Sequence, residues 1–320
     1  MTRALFVPLA ACALAASPLL AQEAPEGSGL LVLTGLAPVQ LIVSELVEDT
    51  GITVQPITPR PTPMATLSAM LHRPDPNRAD LLAEADAVVT LRGLWPSDPL
   101  YPTARSGNIH VVEIDATTPL DGSAPPIARV AAPISNPVWR EARPAAANAP
   151  SPYAWLGPTS ALAMAETVAR DLARLSPQDA DAIDANLREF SADIRRLKAH
   201  YEGLFAELTD FTVYALTDQF AYLTTEFGIY VDGYFLEQDV RWTEEDFAGL
   251  TAHLQDSGIT TVIHQWQPAD PVIAAVEAAG AELVILSSGE TAQGETGATY
   301  LDIMRANLDA LYEALADVPD

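Results

Sequence analysis

The sequence predicts an α/β fold of two lobes, each built on a parallel sheet, joined by one long helix with a ligand cleft between the lobes. Three observations carry this reading. Short apolar runs alternate with helix-spaced stretches over the first third of the chain, and the same alternation resumes after residue 209. Between them, from Asp184 onward, Leu187, Phe190, Ile194, Leu197 and Tyr201 recur at helical spacing. Strands that alternate with helices form parallel sheets covered on both faces. An unbroken apolar stripe of period 3.6 makes one continuous helix. With 320 residues there is chain enough for two lobes, each with its own core.

The first residues read as a processing signal. Arg3 closes a short basic segment, residues 4–16 are apolar, and Ala21 offers a small residue before Gln22. This is the pattern of a cleavable secretory signal peptide over residues 1–21, too short and wrongly flanked for a membrane span. The expected location is the periplasm. Cys12 is the only cysteine, and Leu9-Ala10-Ala11-Cys12 looks superficially like a lipidation box. The apolar stretch continues past Cys12 and only eleven residues precede it, which favours cleavage near Ala21 and leaves lipidation as the alternative. A chain cleaved at Ala21 has no cysteine for a disulfide or a thiolate metal site.

The elements follow in order. Residues 30–33 read as a strand ending at Thr34-Gly35, 37–49 as a helix and 52–57 as a second strand. Pro59, Pro61 and Pro63 break the chain into a loop. A short helix over 77–85 and strands over 86–91 and 108–114 come next. Residues 117–152 are rich in proline and alanine with little periodicity, the composition of a long surface loop. Helical spacing begins at Thr159 and runs to about residue 208, broken at Ser176-Pro177, where Ser176 can cap a new helix and Pro177 suits its first turn. Strands then fit 212–216, 229–235, 260–264 and 282–286, and helices fit 218–227, 243–256, 270–279 and 299–316. The expected division is a lobe over 22–176, a linking helix over 177–208 and a second lobe over 209–320. A ligand between such lobes sits beyond the carboxyl ends of the strands.

Composition removes several function classes. The formal charge of −26 repels nucleic acid and anionic lipid headgroups. No phosphate-binding glycine loop, HExxH helix or nucleophile elbow is present, so the chain is read as not an enzyme. Ser288-Gly289-Glu290 and Gln293-Gly294-Glu295 read as turn material, and Glu244-Glu245-Asp246 as acids placed at a helix start by the helix dipole.

Three segments carry a family resemblance. Pro152-Tyr153-Ala154-Trp155-Leu156-Gly157-Pro158-Thr159-Ser160-Ala161 resembles a Pro-His-x-Trp-Leu-Asp-Pro-x-Asn-Ala segment. Thr217-Asp218-Gln219-Phe220-Ala221-Tyr222, followed by Phe227-Gly228-Ile229, is similar to a His-Asp-Ala-Phe-Gly-Tyr run that ends in Tyr-Gly-Leu. Tyr300-Leu301-Asp302-Ile303-Met304-Arg305-Ala306-Asn307-Leu308 resembles the last helix of the same family. The family is the solute-binding component of zinc/manganese ABC importers. Weaker agreement through Pro74-Asp75-Pro76 and residues 83–89 extends the resemblance over nearly the whole mature chain.

That resemblance implies a cation held between the lobes by three histidines and a carboxylate, and a partner permease in the inner membrane. It places the histidines at Met70, Tyr153 and Thr217, the aspartate at Ser287, and a further acid at Gln265. All five positions are substituted. Thioether, phenol and hydroxyl groups stay neutral near pH 7 and cannot offset a dication. No histidine occurs between His110 and His200, where zinc members of the family often carry a histidine-rich loop.

Other residues could rewire the site. His72 lies two residues past Met70 and His264 just before Gln265, and a Met/His pair suits a soft ion. The plainer reading makes His72 a loop residue and His264 the buried end of a strand. Asp218 either faces the cleft or caps a helix. Trp155 and Trp266 flank the expected site, either clasping a ligand or packing the lobes together.

The sequence therefore points to a monomeric periplasmic binding protein whose ligand is a metal ion, a metal chelate or a small organic molecule, with free zinc disfavoured. The alternative is a non-transport interaction protein that keeps the fold and docks on a permease or metal carrier.

Overall fold

In the computed structural model, residues 29–119, 127–141, 149–291 and 298–316 are described. The signal-peptide reading of residues 1–21, Cys12 and the Gln293-Gly294-Glu295 turn lie outside them. Two four-stranded parallel sheets organise the chain. The first contains β1 (Leu31–Thr34), β2 (Thr53–Pro56), β3 (Ala87–Thr90) and β4 (Val112–Asp115) in the order β2-β1-β3-β4. Its helices are α1 (Ala37–Leu46), α2 (Met64–Leu71), α3 (Pro76–Glu84) and α4 (Leu100–Gly107). Two helices follow, α5 (Pro158–Leu175) and α6 (Ala180–Phe205). The second sheet contains β5 (Thr212–Ala215), β6 (Tyr230–Tyr234), β7 (Thr261–His264) and β8 (Glu282–Ile285) in the order β6-β5-β7-β8. It carries α7 (Ala221–Glu226), α8 (Glu244–Ser257), α9 (Asp270–Ala278) and α10 (Tyr300–Ala316).

Both sheets thus share one topology, and in each the chain order reverses beside the first strand. The crevice at the carboxyl ends of β1 and β3, and of β5 and β7, is where such sheets bind ligands. Strand β3 is buried at every position, as a central parallel strand with helices on both faces requires.

The 26-residue α6 spans about 39 Å. It buries Ile183, Phe190, Ile194, Leu197, Tyr201 and Phe205 on one stripe and packs against α1, α5 and α10. Asn186 Nδ2 donates to the carbonyls of Leu46 and Glu48 at the end of α1. Tyr201 Oη donates to Asp309 Oδ1 of α10 at 2.5 Å. The helix is therefore fastened to the first half near one end and to the second half near the other. One apolar core runs through both halves, from Val32 and Leu33 to Met304 and Leu308.

Several elements differ from the sequence reading. The prolines at 59–63 do end β2, but Pro63 then serves as the cap of α2, a helix not anticipated from the sequence. Helix α4 was also unanticipated; Pro102 lies in its first turn, where a missing N–H costs nothing. Helix α7 is six residues long and starts at Ala221, so Asp218 lies ahead of its Phe220 cap and does not cap it. Ser176 precedes a short 3-10 turn over Pro177–Asp179, and its hydroxyl donates to Asp179 Oδ2 at 2.5 Å instead of accepting a helix N–H. The described segment 127–141 after β4 is held by side chains. Arg140 donates from Nε and Nη2 to the two oxygens of Asp246 at 2.6 and 2.5 Å, and Trp139 Nε1 reaches the same carboxylate at 3.2 Å.

Candidate functional site

The loops at the strand carboxyl ends meet between the lobes. Tyr153 precedes a 3-10 turn, Ala154–Leu156, that buries Trp155. Its ring lies edge-on to Trp155 at 5.4 Å. Trp155 Nε1 donates to the Ser288 carbonyl at 2.7 Å, and Tyr300 Oη donates to the Trp155 carbonyl at 2.6 Å. Trp155 is therefore a tie between the loop before α5 and the loop after β8.

The loop after β5 turns at Thr217, whose buried hydroxyl accepts the Gln219 N–H at 3.4 Å. This short turn brings Gln219 back into the interface. Its Nε2 donates to Tyr153 Oη and to Glu290 Oε2, both at 3.3 Å. After β8, Asn307 of α10 clamps Ser287, accepting its N–H at 2.7 Å and donating to its carbonyl at 2.8 Å. Ser287 Oγ accepts the Gly289 N–H, and Gly289 adopts a φ of 76°, the left-handed conformation that suits glycine. The chain reverses there and delivers Glu290 into the interface, where it is 4% exposed. Glu290 Oε1 accepts the Met64 N–H at 2.6 Å, at the first residue of α2, and Ser288 Oγ donates to Oε2 at 3.3 Å.

The positions derived from the family resemblance divide into two sets. Tyr153 stands in the network itself. Thr217 and Ser287 shape the turns that deliver Gln219 and Glu290, two and three residues further on. Met70 lies at the end of α2, six residues from the Met64 N–H that Glu290 meets. His72 is exposed, with Nδ1 bonded to the Ser68 carbonyl of its own helix at 2.6 Å. His264 ends β7 buried, and its Nδ1 accepts the Gln265 N–H at 2.7 Å. Burial drives its pKa down to about 4, so the ring is neutral at pH 7. Trp266 lies against that imidazole at 4.8 Å and is 52% exposed. Gln265 leaves its buried Oε1 without a partner, as does Gln219.

Glu290 and Gln219 were not among the candidates from the sequence. Ser288-Gly289-Glu290 is a turn, as its composition predicts, and it presents the carboxylate to the interface. An acid three residues beyond the substituted aspartate was the available signal.

The site is electronegative. Burial and then the charge of Asp218 push the Glu290 carboxyl up, against the bonds from Met64, Ser288 and Gln219. Asp218 is exposed as a residue, yet the protein packed around it raises its carboxyl too. Burial, Glu290 and Asp218 together push the Tyr153 phenol up. Tyr234, at the end of β6, rises to about 12 through burial and Asp218. Among the described residues no group of three or more His, Cys, Asp or Glu is placed to hold a metal ion.

Comparison with known proteins places the chain in a family. A profile of the family described as zinc-uptake complex component A, periplasmic, matches residues 32–314. The chain belongs to that family. A mutant of FpvC from Pseudomonas aeruginosa has the same fold, with a TM-score of 0.72 at 21% identity over 90% of this chain and 100% of that one. A ZnuA crystal structure gives a TM-score of 0.65 at 20% identity over 91% of this chain and 100% of that one. The metal-dependent lipoprotein YcdH from Bacillus subtilis gives 0.70 at 19% identity over 89% and 99%. In this member of the zinc-uptake family, the interlobe network runs through a phenol, an amide and one buried carboxylate.

Proposed function

We propose that the chain is the periplasmic solute-binding component of an ABC importer of the metal-uptake type, with an interlobe site that no longer takes free zinc. The observation that carries this reading is the donor set. Met70, Tyr153, Thr217 and Ser287 stand where the family resemblance calls for three imidazoles and a carboxylate. A structural or transport zinc site needs several nitrogen, sulfur or carboxylate donors at about 2.0 to 2.3 Å. His264 and His72 have Nδ1 engaged with backbone groups. Glu290 supplies one carboxylate, and its partners Gln219 and Tyr153 add only an amide and a phenol. One structural neighbour, FpvC, has been solved in complex with a Ni2+ ion, which supports ligands other than zinc within the fold. Export through the signal at residues 1–21, and delivery of cargo to an inner-membrane permease, complete the reading.

The test is native mass spectrometry with elemental analysis of protein purified from its own periplasm. The expected result is a zinc-free chain beginning near Gln22, carrying an organic or chelated ligand. Stoichiometric zinc would overturn the reading. A bare chain that co-purifies with a protein partner would favour the interaction protein instead.

A further inference from the structure

The network between the lobes ends in acceptors. Glu290 receives donors from Met64, Gln219 and Ser288, so the amide end of Gln219 that faces it is the NH2 end. Gln219 Oε1 is thereby left buried and unpartnered on a side chain only 8% exposed. An orphaned buried carbonyl is costly, and a ligand that donates to it recovers the loss. Gln265 repeats the feature on the loop after β7, the strand beside β5. Asp218, next to Gln219, acts on the same network through its charge. Tyr234 ends β6, the half-exposed Trp266 follows β7, and Tyr153 bonds Gln219 from the loop before α5.

We propose that the interlobe site binds a small organic cation that donates hydrogen bonds, a primary ammonium or guanidinium compound. Glu290 and Asp218 are its counter-charges, Gln219 Oε1 accepts one of its N–H groups, and Trp266 offers an aromatic face at the rim. The proposal rests on the reading of the chain as a solute-binding protein whose site does not take free zinc. A bare dication is the poorer match because amide carbonyls and one or two carboxylates do not make a zinc donor set. A quaternary ammonium suits the aromatic groups but has no N–H for Gln219.

The experiment is calorimetry on the wild-type mature chain with putrescine, spermidine, agmatine, tetramethylammonium and zinc sulfate as probes. At least one of the three amine or guanidinium probes is expected to bind one to one, and tetramethylammonium at least about tenfold more weakly, the cost of a missing charge-assisted hydrogen bond. Glu290→Gln should weaken the bound probe about ten- to a hundredfold. Asp218→Asn, at the open edge of the network, should weaken it several-fold without loss of folding and keeps the test decisive if Glu290→Gln misfolds. Failure of all three probes to bind, or equal affinity in wild type and Asp218→Asn, overturns the proposal. If zinc also fails to bind, only this proposal is lost; tight zinc binding removes the functional reading beneath it.

Discussion

The Glu290 carboxylate accepts the Met64 backbone N–H at 2.6 Å, joining the loop after β8 to the first residue of α2 across 226 positions of sequence. A carboxylate at a helix N-terminus meets both an unpaired N–H and the positive end of the helix dipole. Glu290→Ala leaves the Met64 N–H and the Gln219 amide without this acceptor. The expected cost is about 1–3 kcal/mol, read by urea unfolding. Glu290→Gln retains a carbonyl and should lose less. An alanine variant as stable as wild type would show that the contact contributes nothing to stability.

A second tie is expected to be stronger. Asp246, 1% exposed, accepts both arms of Arg140 and closes a capping box with Thr243. Burial pushes its carboxyl up, but the bonds from Arg140 and Thr243 outweigh this and hold it down at about 2. Arg140→Ala leaves a buried charge unpaired, at a cost of about 3 kcal/mol. It also frees the segment around Trp139, so limited proteolysis should cut near residues 137–141 faster than in wild type. Unchanged unfolding and cleavage would contradict the assignment.

Two buried groups give opposite pH dependences. Burial pushes Asp98 from 3.8 up to about 6, against the N–H bonds from Leu100 and Leu91. The native state then holds a proton that the unfolded chain has lost, so this group adds stability as pH falls from about 6 towards 3.8. Burial lowers His264 from 6.5 to about 4, so the unfolded chain takes up the proton first. Its contribution is complete above 6.5 and is lost as pH falls towards about 4. Urea melts across this range should show wild type gaining on Asp98→Asn and losing ground to His264→Gln as the pH is lowered. Parallel curves for either variant would count against the corresponding burial.

Much of this was legible in the sequence because the strands are short apolar runs set between helix-spaced stretches. The stripe through Phe190, Ile194, Leu197 and Tyr201 announced α6. Helix α2 was hidden behind Pro63, whose neighbours Pro59 and Pro61 make the whole segment look like loop, although a proline just before a helix is a start signal. The site was only partly readable. The family resemblance points to Thr217 and Ser287, but which residue faces the interface depends on turns at Thr217 and Gly289 that bring Gln219 and Glu290 inward. A partner 226 residues away, such as Met64 for Glu290, leaves no trace in local pattern.

Restoring the family ligands tests whether the substituted positions mark one point. Met70→His, Tyr153→His, Thr217→His and Ser287→Asp together are expected to create a moderate zinc site. Outer-shell partners tuned to other side chains typically cost ten- to a hundredfold in affinity. Zinc should raise the melting temperature of the quadruple variant through preferential binding to the folded state, with a smaller rise for Tyr153→His with Thr217→His alone. A folded quadruple variant with no gain would show that a position is misplaced. Met70 would be withdrawn first, and His72 tried in its place.

The proposed loss of free-zinc binding is tested most directly by calorimetry of zinc titrated into the metal-free wild-type chain at neutral pH. No one-to-one binding tighter than micromolar is expected. Submicromolar binding that alanine at Met70, Tyr153, Thr217 and Ser287 abolishes would contradict it.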